Sequence, residues 1–422
     1  MVTISHPNDL AREVLRAINN RDFIAPPRQT LNKLFQLMYH ASISREESEY
    51  ISFHMVLFNP ADPMPDRRVH VVADSWHFFP LAVPEEMSLA NISKLALASH
   101  PRSSALAIYP NKQGKLIIWG LIDQLNRYED FIRLENSSAP QRPGLFEARI
   151  VGPGHILVTI GYDQVCELKI DMLSLNTIDI FSGGAIPERL SPGVDLLLSS
   201  LRSVEESLLP LWKETDMAVR QIWMSVIQRL LFRIKGLKHG GAILINDGSR
   251  DGLNFKYEIR YDRLKLALSE YVTSRHERAK ANQAGIKADE AALALLSDQC
   301  SKAEKDVEAA IWFIALLTRI DGLVLLTRDL EVVGFGVEIT VAKPPASLKS
   351  VIGGSTEKSA RSKLSYTHFG TRHRSMMRYC NANHDSVGFV ISQDGDVRAV
   401  ARVESDLCVW ENFRLLPEIT EK

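Results

Sequence analysis

Apolar and polar positions recur with two different periods along this chain, and the switches between them divide it. Residues 8–48 carry apolar positions at helical spacing, broken at Ala25-Pro26-Pro27, which predicts two amphipathic helices. From about Ile51 to Leu81 the pattern shortens to β-type runs such as Val69–Ala73, with proline-rich turns between them. Residues 85–100 return to a helical pattern. Ala105–Tyr109, the turn Asn111-Lys112-Gln113-Gly114 and Lys115–Asp123 then read as a hairpin. A further β pair, His155–Tyr162 and Gln164–Ile170, follows the turn Gly152-Pro153-Gly154. These elements predict an N-terminal α+β domain over residues 1–193.

Residues 194–236 keep a helical period with few breakers and read as a helical linker between two domains. At His239-Gly240-Gly241 the pattern switches to a buried strand, Ala242–Ile245. A long helical stretch spans about 285–319, and strands resume at Gly322–Thr327, Val332–Thr340, Ser386–Ser392 and Val397–Val403. One helix, about Arg374–Ala382, interrupts them. Residues 237–422 therefore predict a mixed β-sheet with flanking helices, so the whole chain belongs to the α/β (α+β) class. No internal repeat or low-complexity tract is present.

Composition narrows the picture without deciding it. The 422 residues are 45% hydrophobic and 24% charged, which excludes wholesale disorder and fibrous repeats. Four scattered cysteines, Cys166, Cys300, Cys380 and Cys408, form no CxxC pair, favouring a reducing cytoplasm over a disulfide framework or a cysteine zinc site. Met1–Arg21 carries no signal-peptide core, and the most apolar helical stretch, Ala309–Leu317, is far too short to span a bilayer. The expectation is a cytoplasmic protein without a membrane partner. Lys and Arg total 50 against 51 Asp and Glu, so nothing global attracts a nucleic acid polymer. The balance is uneven locally. Between Lys343 and Arg378 the chain carries Lys349, Lys358, Arg361, Lys363, Arg372 and Arg374 as well, with Glu357 the single acid.

Three motifs in the second domain carry candidate chemistry. Ile320-Asp321-Gly322-Leu323-Val324-Leu325 sets a carboxylate and a glycine at the mouth of an apolar strand, although Asp-Gly before a strand is commonly just a turn. Phe369-Gly370-Thr371-Arg372-His373-Arg374-Ser375 runs into a helical pattern. Glycine, a hydroxyl and clustered cations at a helix start suit an anion, which the backbone N–H groups and the arginine forks would both address. Cations there oppose the helix dipole, so purely structural use is less natural. Val390-Ile391-Ser392-Gln393-Asp394-Gly395-Asp396 reads by itself as a hairpin turn.

In this order the motifs resemble the diadenylate cyclase family. Its catalytic domain shows Asp-Gly-Ala, then Gly-Thr-Arg-His-Arg, then a Ser-led turn after a buried strand. The counterparts here are Asp321-Gly322-Leu323, Gly370-Thr371-Arg372-His373-Arg374 and Ser392-Gln393. Glu331-Val332-Val333-Gly334-Phe335-Gly336 is similar to the glycine-bearing strand between the first two. The resemblance covers about residues 237–422. Leu95–His100, Ala105–Tyr109 and Leu116–Gly120 resemble, more loosely, the DACNV sensor domain that precedes some of these cyclases. Two positions depart from the pattern: Leu323 replaces the usual Ala, and Gln393 stands where many relatives place an acid, with Asp394 one step later.

The resemblance implies condensation of two ATP into cyclic di-AMP and pyrophosphate, with Mg²⁺ or Mn²⁺, in a homodimer or higher assembly. Asp321 would bind the metal and activate the 3′-hydroxyl. Gly322, Leu323, Gly334, Gly370, Thr371, Arg372, His373, Arg374 and Ser392 would line the nucleotide and its phosphates. The departures also leave open a nucleotide-binding sensor without turnover. His239-Gly240-Gly241 either lines that site or simply opens the strand. Gly152-Pro153-Gly154-His155 lacks the downstream lysine of a phosphate loop and reads as a turn. No His spacing suits zinc, no Gly-x-Ser-x-Gly elbow occurs, and Trp212, Trp223 and Trp312 read as packing residues.

Overall fold

The computed structural model describes residues 5–18, 26–61, 77–99, 104–123, 145–160, 163–170, 172–175, 180–204, 212–283, 290–351, 361–393, 395–411, 413 and 415. Its contacts divide the chain into two units, Met1–Thr177 and Ile178–Pro417. Each has its own apolar core, and the mixed α/β class expected from the periodicities is what the chain adopts.

In the first unit, α1 (Pro7–Ile18) and α2 (Arg28–Ile43) pack together, and α3 (Leu89–Ala96) packs against α2. Leu10, Val14 and Ile18 line one face of α1, while Leu31, Leu34, Phe35 and Met38 line one face of α2, so the helical period has become a buried stripe. A short ribbon pairs β1 (Arg45–Glu46) with β2 (Glu49–Tyr50). The main sheet contains β3 (His54–Leu57), β4 (His77–Glu86), β5 (Ser104–Pro110), β6 (Leu116–Asp123), β7 (Phe146–Gly152), β8 (His155–Ile160), β9 (Asp163–Lys169) and β10 (Met172–Leu175). Its order is β10-β9-β8-β7-β3-β5-β6-β4, and only β3–β5 is parallel. Met55, Leu106 and Ile108 share the core of α1–α3, whereas their neighbours Val56, Ala105 and Ala107 join Phe58 and Trp119 in a second cluster.

Several boundaries differ from the sequence expectation. The helix expected from residue 85 starts only at Leu89, because β4 continues to Glu86 and Ser88 caps the helix by accepting the Asn91 N–H at 3.2 Å. The strand at Phe146–Gly152 was not expected. It makes Gly152-Pro153-Gly154 the turn of the β7–β8 hairpin. The expected strand Val69–Ala73 lies outside the described residues.

The second unit contains α4 (Ala185–Val204), α5 (Trp212–Gly236), α6 (Arg263–Gln283), α7 (Glu290–Leu317) and α8 (Thr371–Ala382). Its strands are β11 (Gly241–Asn246), β12 (Leu253–Asn254), β13 (Tyr257–Tyr261), β14 (Leu323–Thr327), β15 (Val332–Ile339), β16 (Leu348–Val351), β17 (Arg361–Lys363), β18 (Val387–Ile391), β19 (Val397–Val403) and β20 (Asp406–Glu411). They run β12-β15-β14-β11-β18-β19-β20-β16-β17, with β13 on β15; β11–β14 and β16–β20 are parallel and the other pairs antiparallel. Alternate residues of the central strands serve two cores. Ile243, Ile245, Val324, Leu326, Phe389 and Ile391 meet residues of α4–α7, while Ala242, Leu244, Leu325 and Val390 meet Met376, Met377, Tyr379 and Cys380 of α8. Covered on both faces, these strands read as continuous apolar runs.

The stretch expected as a linker, 194–236, contributes Val194, Leu198, Trp223, Leu230 and Ile234 to this core. Its first helix also starts earlier, at Ala185, and carries Pro192 in its interior. Helix α6 was not expected. A cluster of partly to fully buried ions ties α5 to α7: Arg233 Nε donates to Glu308 at 2.7 Å, and Arg229 lies 3.3 Å from the same carboxylate. Breaking such a pair from one side costs about 3–5 kcal/mol. Of the tryptophans, Trp223 is buried, but Trp312 is 42% exposed with Arg233 5.2 Å from its ring centre. The Trp212 side chain lies outside the described set. The four cysteines are free and buried. Among the described residues, no helix is long and apolar enough to cross a membrane.

Candidate functional site

β11 is the strand on which the three motifs converge. It pairs in parallel with β14 from Ile243↔Val324 to Asn246↔Thr327, and antiparallel with β18 from Gly241↔Ile391. The start of β11, the start of β14 and the end of β18 therefore lie at one end of the sheet. Those positions carry Gly240-Gly241, Asp321-Gly322 and Ser392-Gln393. The α8 N-terminus joins them. A Cβ built on Gly240 would stand 3.0 Å from Arg372 Nη1, 3.0 Å from the Ile391 carbonyl oxygen and 3.3 Å from the Gln393 nitrogen. Gly240 also has φ +75°, so at this strand opening a glycine is needed for conformation and for space.

Gly322 is tighter still. Its φ is +119°, and a Cβ there would come within 2.5–2.8 Å of the Gly336 and Val337 backbone on β15. Gly336 itself has φ +61°. This backbone-to-backbone approach brings Asp321 to the strand mouth with its side chain exposed. Within the described residues Asp321 makes no hydrogen bond or ion pair, although its charge helps raise the Lys256 ammonium, which is held chiefly by Glu338.

On α8, Gly370 is the N-cap with open space around its α-carbon, no side chain caps the helix, and the first turn contains no acid. Thr371 is exposed and Arg372 and Arg374 are half-buried; neither arginine has a carboxylate partner among the described residues. Uncapped N–H groups and two unpaired guanidinium groups make an anion-seeking surface. His373 is set apart from them. Its Nε2 accepts from Arg398 Nη1 at 3.2 Å, and burial, followed by the charges of Arg398 and Arg372, pushes it down to about 4. Arg398 in turn donates from Nε to Glu411 at 2.7 Å.

The other expected site residues fall elsewhere. Leu323 is 4% exposed in the cluster beneath α8, so a ligand at the strand mouth would meet its backbone while the side chain packs. Gly334 pairs with Leu325 further along β15, where a Cβ would strike the Phe255 ring at 2.5 Å. Ser392 holds a turn: its Oγ accepts the Asp396 N–H at 3.0 Å, which leaves its own O–H free to donate. Gln393 is exposed, and Asp394 lies outside the described residues.

The donor set bears on a metal. Among the described residues no three His, Cys, Asp or Glu side chains gather to hold one. A single free carboxylate beside an anion cradle suits a hard divalent ion such as Mg²⁺ or Mn²⁺ that is held mostly by phosphate oxygens. The residues fit an ion arriving with a polyphosphate.

Residues 22–123 match the family described as "Probable sensor domain DACNV". The match lies in the first unit, spans α2, α3 and β1–β6, and includes the segments Leu95–His100, Ala105–Tyr109 and Leu116–Gly120 that suggested it. No curated protein matches the chain.

Arg398 and Glu411 were not foreseen as neighbours of the motifs. The alternation in β19 contained a signal: Arg398 and Arg402 share the face with Val400, which packs beneath α8. Arg402 reaches the Asn381 carbonyl at the helix C-terminus, and Arg398 reaches His373 in its first turn.

Proposed function

We propose that the second unit binds ATP and joins two ATP molecules into cyclic di-AMP, releasing two pyrophosphates, under regulation by the DACNV sensor domain. The observation that carries this reading is the convergence of Asp321-Gly322, the Gly370–Arg374 helix start and the Ser392 turn at one end of the sheet. The order of those motifs is that of the diadenylate cyclase family.

In this reading the triphosphate lies on the α8 N-terminus. Arg372 and Arg374 offset its charge, and the Gly370–Thr371 backbone donates to its oxygens. Gly322 lets the nucleotide lie against the chain. Asp321 accepts the proton of a 3′-hydroxyl as that oxygen bonds to the α-phosphorus of the other ATP and the bond to pyrophosphate breaks. Mg²⁺ or Mn²⁺, held by Asp321 and the phosphates, supplies charge neutralisation and lowers the hydroxyl pKa. One site forms one bond, so two copies of the chain must face each other to close the ring. Positioning dominates such displacements, which suits a site built on strand ends and a helix start.

Gln393 supports a second reading. Without an acid at this position the unit could bind ATP and signal without turnover. Incubating the full chain with ATP and either metal, with chromatography for cyclic di-AMP and calorimetry for ATP, separates the two. Product that vanishes in a folded Asp321→Asn variant supports the enzyme. ATP binding without product under either metal removes the enzyme and leaves the sensor. No ATP binding removes both.

A further inference from the structure

Arg398 sits where helix electrostatics disfavours it. It faces the first turn of α8, the positive end, whereas Arg402 four residues on faces the C-terminal end and a carbonyl acceptor, as a cation should. What holds Arg398 there is a set of partners on three elements: Glu411 of β20 at 2.7 Å, Asp396 of the preceding turn at 4.0 Å, and the Phe369 ring, whose centre is 5.7 Å away. Phe369 in turn lies 5.9 Å from the His373 ring. Ser365, His368, Phe369, His373, Arg398 and Glu411 line a pocket of about 290 Å³ beside Gly370.

A guanidinium has no acceptor to offer, so the 3.2 Å contact with His373 Nε2 has one chemical sense: Arg398 donates and the imidazole accepts. We propose that Arg398, anchored by Glu411, is a positioning residue for the anion cradle, fixing His373 as the neutral Nδ1–H imidazole so that Arg372 and Arg374 supply the motif's positive charge. The inference rests on the reading of Gly370–Arg374 as that cradle. It assigns His373 a role different from its two arginine neighbours: a fixed neutral donor that keeps its charge state through the physiological range. The charged groups around the ring differ in sign, and burial with the cations outweighs the one acid that favours protonation. Arg398 and Arg372 oppose its protonation, Asp396 favours it, and Glu411 is occupied by Arg398 while His368 lines the same pocket.

The test is long-range ¹H–¹⁵N spectroscopy on the histidine-labelled full chain between pH 4 and 8, with His373 assigned through His373→Gln. The expected result is an Nδ1–H tautomer that does not titrate above pH of about 5. In Arg398→Met the midpoint should rise but stay below the ordinary value of about 6.5, because burial and Arg372 still oppose protonation. Arg398→Lys, which keeps the charge, should hold the midpoint low. An Nε2–H tautomer in the wild type, or a wild-type midpoint near 6.5, overturns the proposal without any substitution. So does an unchanged midpoint in a folded Arg398→Met variant. ATP added to the wild-type sample tests the underlying reading separately: the expected tautomer with no ATP-induced shift refutes the nucleotide cradle while the Arg398–His373 contact stands.

Discussion

Replacing Gly322 by alanine should be among the most damaging single-methyl additions in the second unit. Two penalties coincide. The φ of +119° lies outside the range open to L side chains, and such strain costs about 1–3 kcal/mol. The added Cβ would also press within 2.5–2.8 Å of the Gly336 and Val337 backbone, which belongs to a paired strand and cannot rotate away; overpacking of this kind costs another 1–3 kcal/mol or so. The sum, about 2–6 kcal/mol, is a large part of an ordinary domain's stability. For a unit of this size it lowers the thermal midpoint by roughly 4–24 °C. Calorimetry of the full chain should show the loss in the transition of the second unit, with the first unit's transition unmoved. Gly370→Ala is the control, since a Cβ there meets nothing within 4 Å and φ is −67°; its loss should stay below about 1 kcal/mol. Equal midpoints for Gly322→Ala and wild type would refute the argument from close approach.

Other perturbations follow from the same geometry. Arg372→Ala should weaken ATP binding roughly ten- to hundred-fold by calorimetry, the worth of one charge-assisted hydrogen bond, with the fold unchanged by circular dichroism. Burial pushes Cys166 and Cys380 up to about 12 and Cys408 to about 11, and raises Cys300 as well, so Ellman's reagent should label the native chain slowly and all four thiols at once in guanidinium. Burial works against the Asp329 carboxylate, but hydrogen bonds from Lys265 and Thr327 outweigh it and hold the group below the usual range. That contribution is complete above the unfolded value of about 4 and disappears as pH falls through the lower folded value. Asp329→Asn should thus cost about 0.5–1 kcal/mol at pH 7 by denaturant titration, and its deficit should shrink as pH falls through the lowered folded value.

The parts of the fold that were legible are those whose environment is uniform. β11, β14 and β18 are covered on both faces, so their sequences are unbroken apolar runs that no surface requirement interrupts. The helix after Gly370 was legible because glycine, hydroxyl and cations coincide there, although it was expected from about Arg374 and begins at Thr371. Helix α6 was hidden by its charged second half, Arg275–Lys280, although Leu264, Leu268, Tyr271 and Val272 already marked a buried stripe. Pro192 concealed the beginning of α4, and Phe146–Gly152 mixes charges with apolar residues because Phe146, Ala148 and Ile150 face the helices while Glu147, on the other face, pairs with buried His54. The site shows the same division. Its motifs could be read, but the clash that confines Gly322 depends on β15 pairing beside it. The separation of His373 from Arg372 depends on which residue of β19 lies below α8. Neither is encoded locally.

The central position of β11 also has a consequence for synthesis. All six of its residues are buried in the finished unit, yet its parallel partner is encoded about 80 residues later and its antiparallel partner about 150. At about 5–20 residues per second, the ribosome leaves this run uncovered on both edges for roughly 4–16 seconds before β14 emerges. Of the helices that share its core, α4 and α5 are made before it, and Ile234 of α5 lies close enough to Gly241 for a Cβ there to touch it at 2.8 Å. The strand that unites the motifs is therefore the segment most exposed to intermolecular pairing while the chain is incomplete.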